Sequence, residues 1–182
     1  MERSVVFSGF GGQGLLFAGQ ALARAAMADG LEVFWIPSYG PEMRGGTASC
    51  TVIVGDAQIG SPVVDRFDAA VAMNLPALRK YAPRVAAGGL VVSNCSLTGD
   101  ETSGRADVAE VRLGCADIAA VAADGRLASV AALGALVART GWVEAASARS
   151  VLRAMVGKAG AQAVEADLAA FDAGFAAAGG TA

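Results

Sequence analysis

A short apolar run, Val5-Val6-Phe7, leads directly into Ser8-Gly9-Phe10-Gly11-Gly12-Gln13-Gly14 and then Leu15-Leu16-Phe17-Ala18. Glycine at this density ends a strand, and the apolar residues beyond it reopen the chain as a helix, so the segment reads as strand, tight turn, helix. Gly9, Gly11 and Gly14 have the spacing G-x-G-x-x-G of a dinucleotide-binding turn. Free N–H groups at the start of such a helix favour an anion or a carbonyl, and glycine lets a ligand or another backbone approach closely. A working dinucleotide site also needs an acid at the end of the second strand, for the ribose hydroxyls. Here that strand, Glu32–Ile36, leaves into Pro37-Ser38, with Glu32 at the wrong end. No Lys-Ser or Lys-Thr pair follows Gly14, so this is no Walker loop. The turn therefore reads as one that faces a partner or a ligand.

The rest of the chain alternates strands and helices. Leu15 to Asp29 carries Leu15, Ala18, Leu22, Ala25 and Ala26 at helical spacing, with Gly30 as its stop. Glu32–Ile36 is a strand ended by Pro37, Ser38–Gly46 a loop, and Thr47–Val54 a β-branched strand. A short extended piece is expected around Gln58–Ile59, and a strand over Asp68–Met73. Pro76 opens a short helix to Tyr81, and Asn74 reads more plainly as its cap than as a ligand contact. Gly88-Gly89 is read as a turn into strand Leu90–Ser93, Leu97–Arg105 as the least ordered loop, and Val108–Leu113 as a strand. From Cys115 the chain becomes Ala-rich and helical, with helices over Leu127–Arg139, Trp142–Val156 and Ala161–Phe175 and fraying at 179–182. This order predicts an α/β, Rossmann-like layered domain with a mainly parallel sheet, a Gly-rich first turn and a helical C-terminal part. With 182 residues and no linker or repeat, a single domain over 1–182 is expected.

Composition narrows the chemistry. Hydrophobic residues make up 54% and charged residues 17%, with a mean hydropathy of +0.50, which points to surface hidden against other subunits. Net charge is −3 without a Lys/Arg cluster, which excludes nucleic acid as an expected partner. The uncharged run Ser4 to Ala23 is broken by glycines and is no membrane span, so a cytoplasmic protein is expected. Cys50, Cys95 and Cys115 lack the spacing of a zinc or cluster ligand set and read as buried small residues. There is no histidine, which removes the commonest general base and metal ligand. No catalytic residue and no metal ligand are assigned.

Pro37-Ser38-Tyr39-Gly40-Pro41-Glu42-Met43-Arg44-Gly45-Gly46-Thr47 is the second informative stretch, and Glu42 and Arg44 are the only charges between Glu32 and Asp56. A loop leaving the C-terminal end of a strand lies on the functional edge of such a sheet. Taken alone, it is equally a ligand-facing loop or a solvated loop with an incidental ion pair.

Four motifs in order carry a resemblance: Gly9-Phe-Gly-Gly-Gln-Gly14, Pro37 to Gly46, Ile59-Gly-Ser-Pro-Val63 and Ala72-Met-Asn74. Together they resemble the gamma subunit of the 2-oxoacid:ferredoxin oxidoreductases, of the 2-oxoglutarate and branched-chain 2-oxoacid type. The resemblance implies a subunit of a complex that oxidatively decarboxylates a 2-oxoacid to its acyl-CoA and passes electrons to ferredoxin or a related acceptor. Thiamine diphosphate, Mg²⁺ and [4Fe-4S] clusters would then sit on other subunits, with CoA as substrate.

On that reading this chain positions CoA, the catalytic subunits, or both. Arg44 can pair with a phosphate or with a carboxylate across an interface. The N–H groups around Gly11, Gly12, Gln13 and Gly14 can serve a phosphate or a partner carbonyl. Ser38, Thr47 and Gln13 can donate hydrogen bonds, and Tyr39 offers a flat apolar face with a polar tip. Glu42 orients Arg44 or meets a neighbour's cation, while Gly45 and Gly46 leave room for something to pack on the backbone. Two other readings stand beside it: a purely structural assembly subunit, and a stand-alone dinucleotide-binding oxidoreductase.

Overall fold

Alternation along the first strand divides the molecule. The computed structural model describes residues 1–39 and 46–180. In β1 (Glu2–Phe10), Val5 and Phe7 point into the main core, whereas Val6 points into a second, smaller one. The main core lies under α1 (Leu15–Ala28) and a helical layer made of α4 (Cys115–Ala122), α5 (Ala128–Thr140), α6 (Ala145–Val156) and α7 (Ala161–Ala177). The second core is closed by α2 (Leu75–Tyr81), through Ala77, Leu78 and Tyr81 against Val6, Ala70 and Val91.

The remaining elements are β2 (Glu32–Tyr39), β3 (Thr47–Gly55), β4 (Phe67–Ala72), β5 (Val85–Asn94), α3 (Cys95–Thr98) and β6 (Ala109–Leu113). They complete one sheet in the order β2-β3-β1-β4-β5-β6. β1, β4, β5 and β6 are parallel to one another, and β3 runs antiparallel to both β1 and β2. The sheet is thus mainly parallel, as the sequence predicts, but β3 stands between β1 and β2.

Several local expectations are corrected. Pro37 does not end β2; it sits inside it opposite Cys50. The edge position explains this, because a proline is accommodated in a ladder where its missing N–H points away from the neighbour. Gly88-Gly89 lies within β5, at a shift in register between Phe67 and Ala69 on β4. A Cβ at Gly89 would come within 2.6 Å of the Asp68 carbonyl oxygen, so the pair forms a bulge where two backbones approach. The polar stretch from Leu97 begins inside α3 and is then tied down: Glu110 accepts from Ser103 N–H at 2.8 Å, and Arg105 donates to Ala82 O at 3.2 Å. The last helix before α7 starts at Ala145, not Trp142. There Asp29, just beyond α1, accepts from Glu144 N–H at 2.7 Å and from the Ser147 hydroxyl, which locks α1 to α6.

α5 and α7 meet at glycines. A Cβ at Gly174 would fall on Ala131 O and 2.6 Å from its carbonyl carbon; one at Gly134 would fall on Phe171 O and 2.8 Å from Phe175 N. The same helix pair region buries Asp167 at 6% exposure, with Oδ1 lacking a partner and the carboxyl pushed above its usual pKa by desolvation. A carboxyl whose folded pKa is raised destabilises the fold as pH climbs above its ordinary unfolded value. Asp107 and Asp124, held low by Arg105 and Arg126, act in the opposite sense and only at acid pH. Urea unfolding at a series of pH values is therefore expected to show stability falling as pH rises past the ordinary carboxylate range. Asp167→Asn is expected to flatten that slope while leaving the acid limb in place.

Candidate functional site

The site is the C-terminal edge of β1. Phe10, 38% exposed, ends the strand, and the chain turns through Gly12 and Gly14, both at positive φ (95° and 75°). Gln13 holds the turn: its N–H donates to Phe10 O at 3.2 Å and its Oε1 accepts from Phe10 N–H at 2.6 Å. The side-chain oxygen of this expected donor is therefore committed to its own turn. Gly14 caps α1 in the left-handed region, and it offers no side-chain cap to the N–H groups of the first helical turn. A Cβ there would also meet Ser129 Oγ at 2.5 Å, so the third glycine of the pattern admits the start of α5.

β2 and β3 form a hairpin whose foot reaches the same edge. Gly11 N–H donates to Gly46 O at 2.9 Å, joining the glycine turn to the hairpin, and Thr47 pairs opposite Phe10. Ser38 lies across from Ser49, and the Tyr39 backbone across from Ala48. Glu42, Arg44 and Gly45 lie outside the described residues.

Two cavities flank this junction on opposite sides of the sheet. One, about 350 Å³, lies on the α1 side and is mainly apolar, lined by Phe10, Gly11, Gly12, Leu16, Phe17 and Ala48. The other, about 160 Å³, lies on the α2 side and takes in Ser38, Thr47, Ser49, Asn74, Lys80 and Tyr81. Of the expected site residues, Gly11, Gly12 and Gly14 border the first hollow, and Ser38 and Thr47 the second. Asn74 caps α2 as expected, its Oδ1 accepting from Ala77 N–H at 2.9 Å. The sequence reading missed Ser49, Lys80 and Tyr81. Tyr81 and Ser49 are 32 positions apart and meet only because β3 and α2 pack beside the same end of β1; their hydroxyls lie 3.3 Å apart.

The topology also bears on a dinucleotide. In a dinucleotide-binding fold the strand after the first helix lies beside β1 and offers its acid to the ribose. Here β3 occupies that place, and β2 carries serine and tyrosine at its end. Among the described residues no group of three or more His, Cys, Asp or Glu side chains could hold a metal. Cys50 and Cys115 are buried and burial pushes both thiols up to about 12, far from the thiolate that ligates iron. Cys50 Sγ instead lies 3.4 Å from Leu15 O, as a donor to it. These residues do not fit an iron–sulfur cluster or the Mg²⁺ of thiamine diphosphate.

The model of the family described as pyruvate ferredoxin/flavodoxin oxidoreductase matches residues 4–177. Ketoisovalerate oxidoreductase subunit VorA of Methanothermobacter marburgensis is 39% identical over 137 residues, 75% of this chain and 28% of that protein. The chain thus spans less than a third of that relative's length. Among solved structures, the keto/oxoacid ferredoxin oxidoreductase gamma subunit from Geobacter sulfurreducens superposes with a TM-score of 0.82 at 32% identity, covering 97% of this chain and 98% of that one. The 2-oxoglutarate:ferredoxin oxidoreductase from Magnetococcus marinus, solved with 2-oxoglutarate, coenzyme A and succinyl-CoA bound, superposes at 0.87 and 25% identity, over 97% of this chain and 31% of that one.

Proposed function

This chain belongs to the pyruvate ferredoxin/flavodoxin oxidoreductase family, and from that premise we propose that it is the gamma-type subunit of a 2-oxoacid:ferredoxin oxidoreductase complex. The complex converts a 2-oxoacid and CoA to acyl-CoA and CO₂, and two electrons leave to ferredoxin or a related acceptor. The observation that carries the reading is the end-to-end correspondence with a separate gamma subunit, over 97% of one chain and 98% of the other. Other subunits hold thiamine diphosphate, Mg²⁺ and the [4Fe-4S] clusters, which supply the decarboxylation and the electron path.

This chain's part is positioning. CoA is anionic at one end and must bring its thiol to the acyl carbon at the other, so its approach needs donors and a cation at a fixed edge. The glycine turn gives the first N–H groups of α1 no side-chain cap, beside an apolar hollow of about 350 Å³. Arg44, between β2 and β3 in the sequence, supplies the charge. The exposed ring of Phe10 beside it suits either the uncharged arm of CoA or an apolar side chain of a neighbouring subunit.

Arg44→Ala in the reconstituted complex tests this. Loss of a phosphate contact is expected to raise KM for CoA about tenfold, the effect of one charge-assisted hydrogen bond, with kcat little changed. Weakened assembly with normal CoA kinetics would instead support the purely structural reading. Normal kinetics together with normal assembly would remove this loop from the mechanism. A stand-alone dinucleotide enzyme is disfavoured by β3 between β1 and β2, and the absence of any NAD(P)H heat signal in calorimetry is the expected result.

A further inference from the structure

The opposite end of the sheet, where the parallel strands begin, carries a polar hollow of about 300 Å³. The bulge in β5 opens it. Ala86, Ala87, Gly88 and Gly89 stand against the single residue Asp68 of β4, and none of the four carries more than a methyl group to fill the space. Around that floor stand Arg3 from β1, Asp68, and Arg139, Thr140 and Trp142 from the end of α5. Gly141, at φ 59°, turns the chain after α5, and Trp142 thereby borders the same hollow as Arg139.

The charges in this hollow do not balance. Asp68 is its one carboxylate among the described residues, and both oxygens are taken: Oδ1 by Arg3 at 3.2 Å, and Oδ2 by the Ser4 N–H at 2.8 Å and the Ser4 hydroxyl at 3.2 Å. Arg139 makes no ion pair among the described residues. Two guanidiniums thus share the hollow with one saturated carboxylate, in a chain whose net charge is −3. The end of a helix ordinarily repels an anion, but two of the last carbonyls of α5 are covered: Thr140 Oγ1 donates to Leu136 O at 2.8 Å, and Gly141 N–H to Val137 O at 3.0 Å. The residues that flank 40–45 are remote. Tyr39 pairs with Ala48, which stands across from Gly9, six positions along β1 from Arg3 or about 20 Å. A six-residue connection anchored at both ends reaches about 12 Å at most, so the excess of positive charge does not hinge on it.

We propose that the hollow between the β5 bulge and the end of α5 is a binding site for a small di- or tricarboxylate, with Arg139 and the uncommitted nitrogens of Arg3 each meeting one carboxylate group beside the Trp142 indole. A guanidinium offers a carboxylate a fork of N–H donors, and Arg3, which gives only Nη1 to Asp68, keeps the others. Two guanidiniums from separate elements favour a ligand with more than one carboxylate group. The volume of about 300 Å³ is at the lower end for a small-molecule site. The hollow shares no residue with the glycine turn or the β2–β3 connection, so it does not depend on the positioning role proposed for them.

The test is a titration of the ¹⁵N-labelled chain with citrate at fixed ionic strength. The chain has two tryptophans, and each indole N–H gives its own signal. That of Trp142 is expected to move saturably, while that of Trp35, whose indole nitrogen is buried, stays still. Arg139→Gln, at an exposed position, is expected to weaken binding about tenfold, the effect of one charge-assisted contact. Arg153→Gln, equally exposed on α6, is expected to leave it unchanged. Ala87→Glu, on the exposed part of the bulge, gives the hollow a free carboxylate of its own and is expected to abolish binding. Acetate, which engages one guanidinium only, is expected to bind at least about tenfold more weakly than citrate. Absence of saturation, equal weakening by Arg153→Gln, or equal affinity for acetate would overturn the proposal. Repeating the titration in the reconstituted complex distinguishes a free ligand from a neighbour. Retained citrate binding is expected; its loss on assembly would overturn the proposal by giving the hollow to a neighbouring subunit's acidic side chains. Each result is readable whatever Arg44→Ala does to KM.

Discussion

Gly174→Ala is expected to destabilise the fold by about 3 kcal/mol, at the upper end of what overpacking costs. The added methyl would fall on the backbone of Ala131 in α5 and 2.6 Å from its carbonyl carbon, and backbone cannot rotate away as a side chain can. The two helices must separate, and the separation reaches Val130, Leu133, Leu136 and Phe171, all fully buried in the main core. For a chain of this size the loss corresponds to a fall in Tm of roughly 6–12 °C. Gly157→Ala is the control. That residue has helical angles, φ −55° and ψ −31°, and open space where a Cβ would go, so the same chemical change is expected to be neutral or slightly stabilising. Equal Tm values for the Gly174 and Gly157 variants would show that the α5–α7 contact is not as close as described.

The second large effect is expected at the glycine turn. Gly14→Ala combines two penalties: a left-handed backbone, worth about 1–2 kcal/mol for an L-residue, and a methyl 2.5 Å from the buried Ser129 Oγ. Together they are expected to cost about 2–4 kcal/mol. The two parts separate by experiment. Gly12→Ala has a positive φ but nothing within 4 Å of the new methyl, so only the backbone penalty applies. Ser129→Ala added to Gly14→Ala removes the obstructing oxygen and is expected to restore stability to the level of Gly12→Ala. Denaturant unfolding of the four proteins measures both parts. Failure of Ser129→Ala to rescue would mean that the third glycine is kept for its backbone alone.

How much of this was legible beforehand depends on the range of the interaction. β1, the turn and α1 follow from local pattern, because apolar run, glycine cluster and helical spacing are contiguous. The buried α5 was equally readable from its unbroken run of uncharged residues. The place of β3 between β1 and β2 was not, since strand pairing is decided by contacts across the sheet that leave no local trace. The reading of Pro37 as a terminator failed for the same reason: a proline is permitted once the strand is an edge, and edge position belongs to the whole sheet. The candidate site divides likewise. The glycine turn and hairpin foot were visible as motifs, whereas the α2-side hollow draws on Ser49, Asn74, Lys80 and Tyr81, from separate segments and without any spacing rule.

Pro37 has a consequence for how this molecule can be built into something larger. Outer strands ordinarily invite neighbours to continue the ladder, and proline there withholds one of the donors an incoming strand would need. A companion polypeptide is thereby discouraged from adding itself sideways to β2.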